Sequence, residues 1–503
     1  MPPLARDRTS RVESIGSPTE RRDRAAATRS ELARGRRDRL SSRTMPDPTL
    51  TPQPSLRGNP DFLRLWTAET VSQLGTQVSA LAIPFVAIDI LRASTFEVAL
   101  LNVVAFLPFL LIGLPAGVWV DRLRRRPVMI AGDLGRALAL STIPAAFLLG
   151  ALTIVQLYVV GFVVGVLTVF FDVAYQSYLP SVVARDQLQE GNANLEISRA
   201  GAQVVGPGLA GVLIGVLRAP IAVALDSLSF LGSALFLVLI RLPEPPPQSH
   251  RPEGKLRAGI RREIAEGLRY VVGHPYLRSI AACTATLNLF GNIANAVLLV
   301  FAVRELGMTA EAIGLAFSVG ATGALLGAFL ANRISSRLGV GPTIIVFAAI
   351  GGWSLLPFAL APAGMPAPIL VGLVAIYGFV AGLSAVVYNV AQVSLRQAIT
   401  PARMQGRMNA TMRWFVWGTI PIGGVLGGVL GSVLGVRPAM FIGIAGATIA
   451  VVPLLFSRVR GIREMPAPAD EDPIDADPAH ARRTDGGVPA DEDAPDDGAP
   501  AGA

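Results

Sequence analysis

Between residues 62 and 457 the chain is a succession of long apolar runs separated by short polar breaks. Twelve runs stand out: 62–90, 97–119, 128–149, 153–178, 193–217, 219–240, 277–303, 311–333, 341–361, 367–395, 409–434 and 436–457. Each is long enough for a helix to cross a bilayer, which takes roughly 20 apolar residues. The in–out alternation of a transmembrane strand is not the pattern here. Runs 193–217 and 219–240, like 409–434 and 436–457, are joined by very short hinges, so each pair folds as a helical hairpin. The predicted fold is an all-α integral membrane protein with twelve transmembrane helices in two six-helix bundles.

The halves repeat. Adding 217 carries Gly161-Phe162 onto Gly378-Phe379, Gly165 onto Gly382, Val173-Ala174 onto Val390-Ala391 and Asn192-Ala193 onto Asn409-Ala410. Gly201, Gly206 and Gly211 fall on Gly418, Gly423 and Gly428, and Asp172 falls on Asn389. Six spans followed by six in the same orientation form the parallel repeat of secondary transporters, whose site lies between the halves near the midplane. After the prolines at 243 and 245–247, Ile260, Ile264, Leu268 and Val271 make an apolar stripe among Arg and Glu, as in an interfacial amphipathic helix. The expected organisation is a basic tail (1–57), a bundle (58–240), a cytoplasmic linker (241–276), a second bundle (277–460) and an acidic tail (461–503).

Composition narrows the function. Of 503 residues, 51% are hydrophobic and 16% charged, and mean hydropathy is +0.51. A soluble domain carries about 25% charged residues, so an ordinary water-soluble enzyme is excluded. One cysteine and three histidines leave no disulfide framework and no Cys- or His-rich metal site, and no cofactor is expected. The single lysine, Lys255, stands in no phosphate-binding Gly-rich loop, so transport would be passive or ion-driven. A membrane enzyme lacks support, because no nucleophile–base pair is apparent.

The net charge of +8 is uneven. Residues 1–44 carry about +6, residues 464–503 about −10 and the remainder +12. Both tails lack an apolar period and read as disordered. No aromatic residues interleave the basic tail, so no nucleic-acid partner is expected, and Met45 is an alternative start. With the N-terminus inside, roughly 20 basic residues fall in inside loops, Arg396 among them, against four outside, at Arg92, Arg218, Arg304 and Arg437. Both termini are therefore expected in the cytoplasm of a cell that carries the protein in its plasma or inner membrane.

Further residues carry a family resemblance. Gly117-Val-Trp-Val-Asp121-Arg122-Leu-Arg124-Arg125-Arg126 resembles the Gly-x-x-x-Asp-Arg-x-Gly-Arg-Arg signature of the major facilitator superfamily, with Arg124 where Gly is usual. Asn59-Pro-Asp-Phe62-Leu-Arg-Leu65-Trp66, Ser72-Gln-Leu-Gly75, Asp133-Leu-Gly-Arg136-Ala and Glu266-Gly-Leu-Arg-Tyr270 resemble its siderophore-exporter and macrolide-efflux branch. The resemblance covers about residues 58–460 and implies a transporter acting on a small molecule. It implies a conformational latch of Asp121, Arg122, Arg125, Arg126 and Asp172. A purely structural account of those arginines is the positive-inside bias. Gly201, Gly206, Pro207 and Gly211 in span 5 resemble the Gly-Pro motif of antiporters, although small residues also serve plain helix packing.

In such a fold spans 1, 4, 7 and 10 line the cavity, and polar residues within spans tend to face one. Span 1 offers Glu69, Gln73, Thr76 and Gln77, and span 7 offers Thr284, Asn288, Asn292 and Asn295. Span 4 adds Gln176 beside Asp172, and span 10 adds Tyr388, Asn389 and Gln392. Bonding between helices is the alternative for any one of them. Glu69 is the leading proton-coupling candidate and Asp226 the second, while Asp133/Arg136 and Glu196/Arg199 sit one turn apart and pair locally. The faces are polar but largely uncharged, which argues against a small, multiply charged substrate. The expected function is proton-coupled efflux of a drug-like, macrolide-like or siderophore-like compound by a monomer in the lipid bilayer. An importer or facilitator of a metabolite, or a non-transporting sensor, are the alternatives.

Overall fold

The computed structural model describes residues 56–120, 122–184, 187–242, 244 and 256–466. Nearly all of both tails, Asp121 and most of the proline-rich stretch after span 6 therefore lie outside the described residues. Leu56–Gly58 forms one short 3₁₀ turn. A separate compact unit begins at Asn59 and holds every span.

Twelve helices in that unit are long and apolar enough to cross a membrane. In the first half they are Pro60–Ile90, Thr95–Val120, Arg125–Leu148, Ile154–Val182, Leu188–Leu217 and Ala219–Leu239 (spans 1 to 6). In the second they are Pro275–Glu305, Ala310–Leu338, Val340–Ala359, Ala367–Ala398, Ala402–Val433 and Val436–Leu455 (spans 7 to 12). Spans 5 and 11 start five and seven residues earlier than their apolar runs. Both helices continue past the hydrocarbon into polar sequence, which hydropathy alone does not register.

Local chemistry fixes the helix ends. Asn59 caps span 1, its Oδ1 accepting from the backbone N–H groups of Asp61 and Phe62 at 3.1 Å each. Its Nδ2 donates to the Val182 carbonyl at the end of span 4 at 3.0 Å. Asp61 accepts from the backbone N–H groups of Arg241 and Leu242 just after span 6, at 3.1 Å each. The Asn59-Pro60-Asp61 stretch thus ties three spans together at one end. Ser94 and Glu97 form a reciprocal capping box before span 2.

The repeat is visible in the backbone as well. Spans 1 and 7 each open on proline, run 26 α-helical residues and finish in a five-residue π turn, Val86–Ile90 and Phe301–Glu305. Adding 215 superimposes these features. It also carries Arg92 (φ 52°) onto Gly307 (φ 67°), and adding 217 carries Arg218 (φ 69°) onto Gly435 (φ 95°). Both left-handed arginines therefore occupy positions that the other half fills with glycine.

The halves meet at one end. Spans 5 and 8 pack together, as do spans 2 and 11. Contact is nearly backbone to backbone: a Cβ at Gly211 would come within 2.6 Å of the Ala310 carbonyl, and one at Gly428 within 2.8 Å of the Ala99 Cβ. Among the described residues, the hydrogen bonds between the halves lie toward this same end. Ser318 Oγ accepts from the Gly208 N–H at 2.7 Å, and Arg304 donates to the carbonyls of Ile88 (3.5 Å) and Ala93. This is the end with few arginines. At the arginine-rich end the linker helix, Leu256–Gly273, packs on span 11, with Glu266 paired to Arg407 at 2.7 Å. Val271 of its apolar stripe is buried with Met408 and Met412, so that part of the helix is held by protein.

Arg218 (φ 69°, ψ 151°) lies in a region that is essentially restricted to glycine. Replacing it with the residue of its repeat partner, Arg218→Gly, is expected to stabilise the protein by about 1 kcal/mol. Thermal unfolding in detergent checks this, and a lower midpoint would show that the arginine side chain outweighs the strain.

Candidate functional site

Two polar regions occupy the bundle interior, one in each half. In the first half, Asp133 and Arg136 of span 3 make the predicted one-turn pair, and both are buried. Asp133 also accepts from Ser233 Oγ of span 6 at 2.7 Å. The Arg136 guanidinium lies between two rings, 4.3 Å from the centre of Phe171 in span 4 and 4.2 Å from that of Phe230 in span 6. A planar cation between aromatic faces gains quadrupole attraction on both sides.

The pair is not merely local. Glu69 of span 1, Asp172 of span 4 and Asp226 of span 6 all lie within electrostatic reach of Arg136, as Asp133 does. Asp133 alone bonds Arg136, and the carboxyl groups of spans 1, 4 and 6 feel its charge at longer range. Glu69 Oε1 accepts from Gln73 Nε2 at 2.7 Å, but Glu69 Oε2 is buried with no hydrogen-bond partner. The Tyr175 hydroxyl, near Glu69 and Asp172, is also buried and unpartnered. Asp226 accepts from Ser229 Oγ at 3.1 Å and lies directly against Gly75 of span 1, where a Cβ would collide with it. Among the described residues no three His, Cys, Asp or Glu converge as metal ligands do.

In the second half a cavity of about 710 Å³ lies among spans 7, 9, 10, 11 and 12. Six of the polar residues singled out on spans 7 and 10 line it: Thr284, Asn288, Asn295, Tyr388, Asn389 and Gln392. Thr284 Oγ1 and the Tyr388 hydroxyl are 2.6 Å apart, Tyr377 donates to Asn295 Oδ1 at 3.1 Å, and Gln392 donates to Asn389 Oδ1 at 3.1 Å.

Not every residue singled out reaches this cavity. The site was expected between the halves on spans 1, 4, 7 and 10, but this cavity is built by the second half alone. Glu69, Gln73, Thr76, Gln77, Gln176 and Asn292 are not among its lining residues. Thr76 bonds back to the Ser72 carbonyl, Gln77 packs on Gly206 of span 5, and Asn292 packs on Gly423 of span 11. The cavity is also not uncharged. Arg396, counted with the loop arginines, has its side chain inside the bundle, and Arg413 of span 11 lines the cavity too. The register that turns Asp172 into Asn389 turns Glu196 of span 5 into Arg413, a signal the sequence carried.

Among the described residues, Arg125, Arg126 and Asp172 do not come together. Asp121 lies outside the described residues. Asp172 stands ten residues short of the Val182 end of span 4, about 15 Å along the helix, and faces Arg136. Arg122 is exposed. Arg125 and Arg126 start span 3, and their backbone N–H groups donate to the Glu244 carboxylate at 2.5 and 3.2 Å, a negative cap on a helix N-terminus. The Arg126 side chain donates to the carbonyls of Leu237 and Val238, so it caps the end of span 6. In the Gly-Pro stretch, Gly201 meets open space, Gly206 receives Gln77, the Pro207 carbonyl abuts Gly314, and Gly211 meets Ala310.

A family model described as a transmembrane secretion effector matches residues 54–483. The chain belongs to that family, within the major facilitator superfamily. The chain is 28% identical over 422 residues to the multidrug efflux pump Tap of Mycolicibacterium fortuitum, covering 80% of this chain and 96% of that protein. It is 25% identical over 440 residues to the enterobactin exporter EntS of Citrobacter koseri, covering 83% and 97%. A shorter match, 25% over 183 residues, joins it to macrolide efflux protein A of Streptococcus pyogenes, covering 36% and 45%. Its fold is that of an inward-facing bacterial homologue of the iron transporter ferroportin, with TM-score 0.64 at 16% identity over 80% of this chain and 99% of that one. A bacterial homologue of the lysosomal transporter Spinster gives 0.58 at 17% identity over 81% and 98%. The protein is a membrane transporter and not an enzyme.

Removing the cation from a buried charge cluster costs roughly 3–5 kcal/mol. Arg136→Ala is therefore expected to depress the thermal midpoint strongly or abolish monodisperse protein. Arg136→Lys, which keeps the charge and loses the two-ring stack, is expected to fall between it and wild type. Equal midpoints for all three proteins would mean that the carboxyl groups do not depend on Arg136.

Proposed function

We propose that this protein is a proton-coupled exporter working by alternating access, an antiporter for a drug-like, macrolide-like or siderophore-like compound. The observation that carries the reading is the division of labour between the halves. Acid is gathered around Arg136 in the first half, and the acid-free cavity is in the second. Four ionised carboxylates on one guanidinium would leave three uncompensated charges inside the bundle, and protons are the available means of balancing them. Glu69, with one oxygen unpartnered, is the group to exchange its proton with the aqueous side, and Asp226 and Asp172 adjust the charge around it.

Contiguous contacts link the two regions. Glu69 bonds Gln73, and Gln77 one turn further packs on Gly206 of span 5. Span 5 then meets span 8 through Gly208 and Ser318. On the cavity side, Trp417 meets Phe106 of span 2 edge-on, with ring centres 6.2 Å apart. A change of charge around Glu69 can thereby bias the seam between the halves, which is the two-state element that alternating access requires. Taking the arginine-rich end as cytoplasmic, the packed seam closes the outer side and this conformation opens inward. A contact of Asp172 with the arginines that open span 3 would then belong to the opposite state, while Arg126 stays with span 6.

Efflux direction is supported by the relatives named as a multidrug efflux pump, an enterobactin exporter and a macrolide efflux protein. One proton crossing 100 mV supplies about 2.3 kcal/mol, roughly a fifty-fold gradient. The same reading places a monomer in the cell membrane with both termini in the cytoplasm.

Two experiments test it. In a pump-deleted bacterial host, wild type is expected to lower the accumulation of members of a fluorescent compound panel, a protonophore to abolish the effect, and Glu69→Gln to behave like empty vector at equal membrane abundance. Efflux that survives the protonophore would refute proton coupling. The second concerns the seam. In a Cys283→Ser background, Gly208→Cys with Ser318→Cys places Cβ atoms about 3.6 Å apart, within disulfide range. Oxidation is expected to hold the halves together after proteolysis of the linker and to stop transport reversibly. Transport that continues through the closed crosslink would overturn alternating access at this seam.

A further inference from the structure

The second-half cavity carries unspent binding capacity of one electrical sign. Three of its lining side chains are more than nine-tenths buried and have a polar atom with no hydrogen-bond partner: Ser384 (1% exposed), Gln392 (3%) and Arg396 (8%). The orphaned atoms are a hydroxyl oxygen, an amide oxygen and the Arg396 Nε–H donor. Unpaired buried polar groups are costly, and these three all belong to span 10, the helix that brings Arg396 to the cavity. A second arginine, Arg413 of span 11, also lines the cavity and stands over the Trp417 ring at 4.4 Å. No Asp or Glu is among the described residues that line the cavity.

The repeat shows that this sign is particular to the second half. The register that superimposes the π turns carries Glu69 onto Thr284, and the register of spans 4–5 and 10–11 carries Asp172 onto Asn389 and Glu196 onto Arg413. Each acidic position is neutral or cationic in its counterpart. A cavity of about 710 Å³ with aromatic and aliphatic walls is in the range of drug-sized sites.

We infer that the second-half cavity is the substrate site and selects a drug-sized anion, an aromatic or amphipathic body bearing a carboxylate or acidic phenol, held by Arg396 and Arg413 with its rings against Trp417. This deepens the exporter reading and rests on it for the direction of movement. Guanidinium groups pair bidentately with carboxylates, and an arginine already stacked on an indole is pre-organised to do so. A cationic drug meets two positive charges and no counter-charge here.

The test uses two dyes with one xanthene skeleton and opposite charge, carboxyfluorescein and tetramethylrhodamine methyl ester. Fluorescence anisotropy is read on the full-length protein in nanodiscs, with empty nanodiscs subtracted. The anion is expected to bind roughly tenfold tighter or more than the cation, since an opposed buried charge is costly. Arg413→Gln and Arg396→Gln are each expected to weaken the anion by about tenfold. Arg413→Glu is expected to reverse the order of the two dyes, a gain that misfolding cannot produce, while the loop variant Arg458→Gln leaves both unchanged. Equal binding, binding of neither dye, or a preference for the cation that Arg413→Glu leaves unaltered overturns the inference. The two readings fail separately. Selective binding without proton-dependent transport would sink the exporter reading alone, whereas proton-dependent transport of both dyes, indifferent to Arg413, would sink only the anion site.

Discussion

The first half is organised around a guanidinium that has no business in a membrane unless its surroundings are made for it. Arg136 is buried, packed against Phe171 and Phe230, bonded to Asp133 and within electrostatic reach of acids from spans 1, 4 and 6. Those four helices can converge because the arginine offsets the repulsion of their acids. The acids, in turn, make the burial of the arginine tolerable. Gly75 belongs to the same arrangement, since any side chain there would occupy the place of Asp226. A cluster of this kind is sensitive to a single proton, because in a low dielectric one charge changes the balance of every pair around it.

The duplicated architecture makes the division between halves readable. Both begin spans 1 and 7 on proline, both end them in a π turn, and both fold the next turn through a left-handed residue. On this common backbone one half concentrates acid and the other removes it. Spans 5 and 11 illustrate the divergence: equivalent positions hold Glu196, which pairs with Arg199 at 2.6 Å, and Arg413, which stacks on Trp417.

The number, order and pairing of the spans were legible because hydropathy and positive-residue bias are local properties, as were the one-turn pairs Asp133/Arg136 and Glu196/Arg199. The polar faces of spans 7 and 10 were legible too, since helical spacing alone aligns Thr284 with Asn288 and Tyr388 with Gln392. The hub was not. Arg136 looked satisfied by its neighbour three residues away, and nothing along the chain reveals that Glu69 and Asp226 approach it from other spans. Arg396 was hidden differently. At the end of an apolar run it fits the loop bias, and only packing shows that its side chain turns inward. Asp172 is well inside span 4 because the helix runs on to Val182, past the end of the apolar run.

The closest approaches along the seam between the halves are made by Gly208, Gly211, Gly314, Ala310, Gly428 and Ala99. Glycine and alanine have no rotamers to lose. A surface of such residues can be joined or parted without freezing or releasing side-chain motion, so its closure is opposed by little configurational entropy and its opening is rewarded by little. Two such faces can stay nearly balanced over a range of temperatures, leaving the choice between them to whichever charge or ligand sits elsewhere in the bundle.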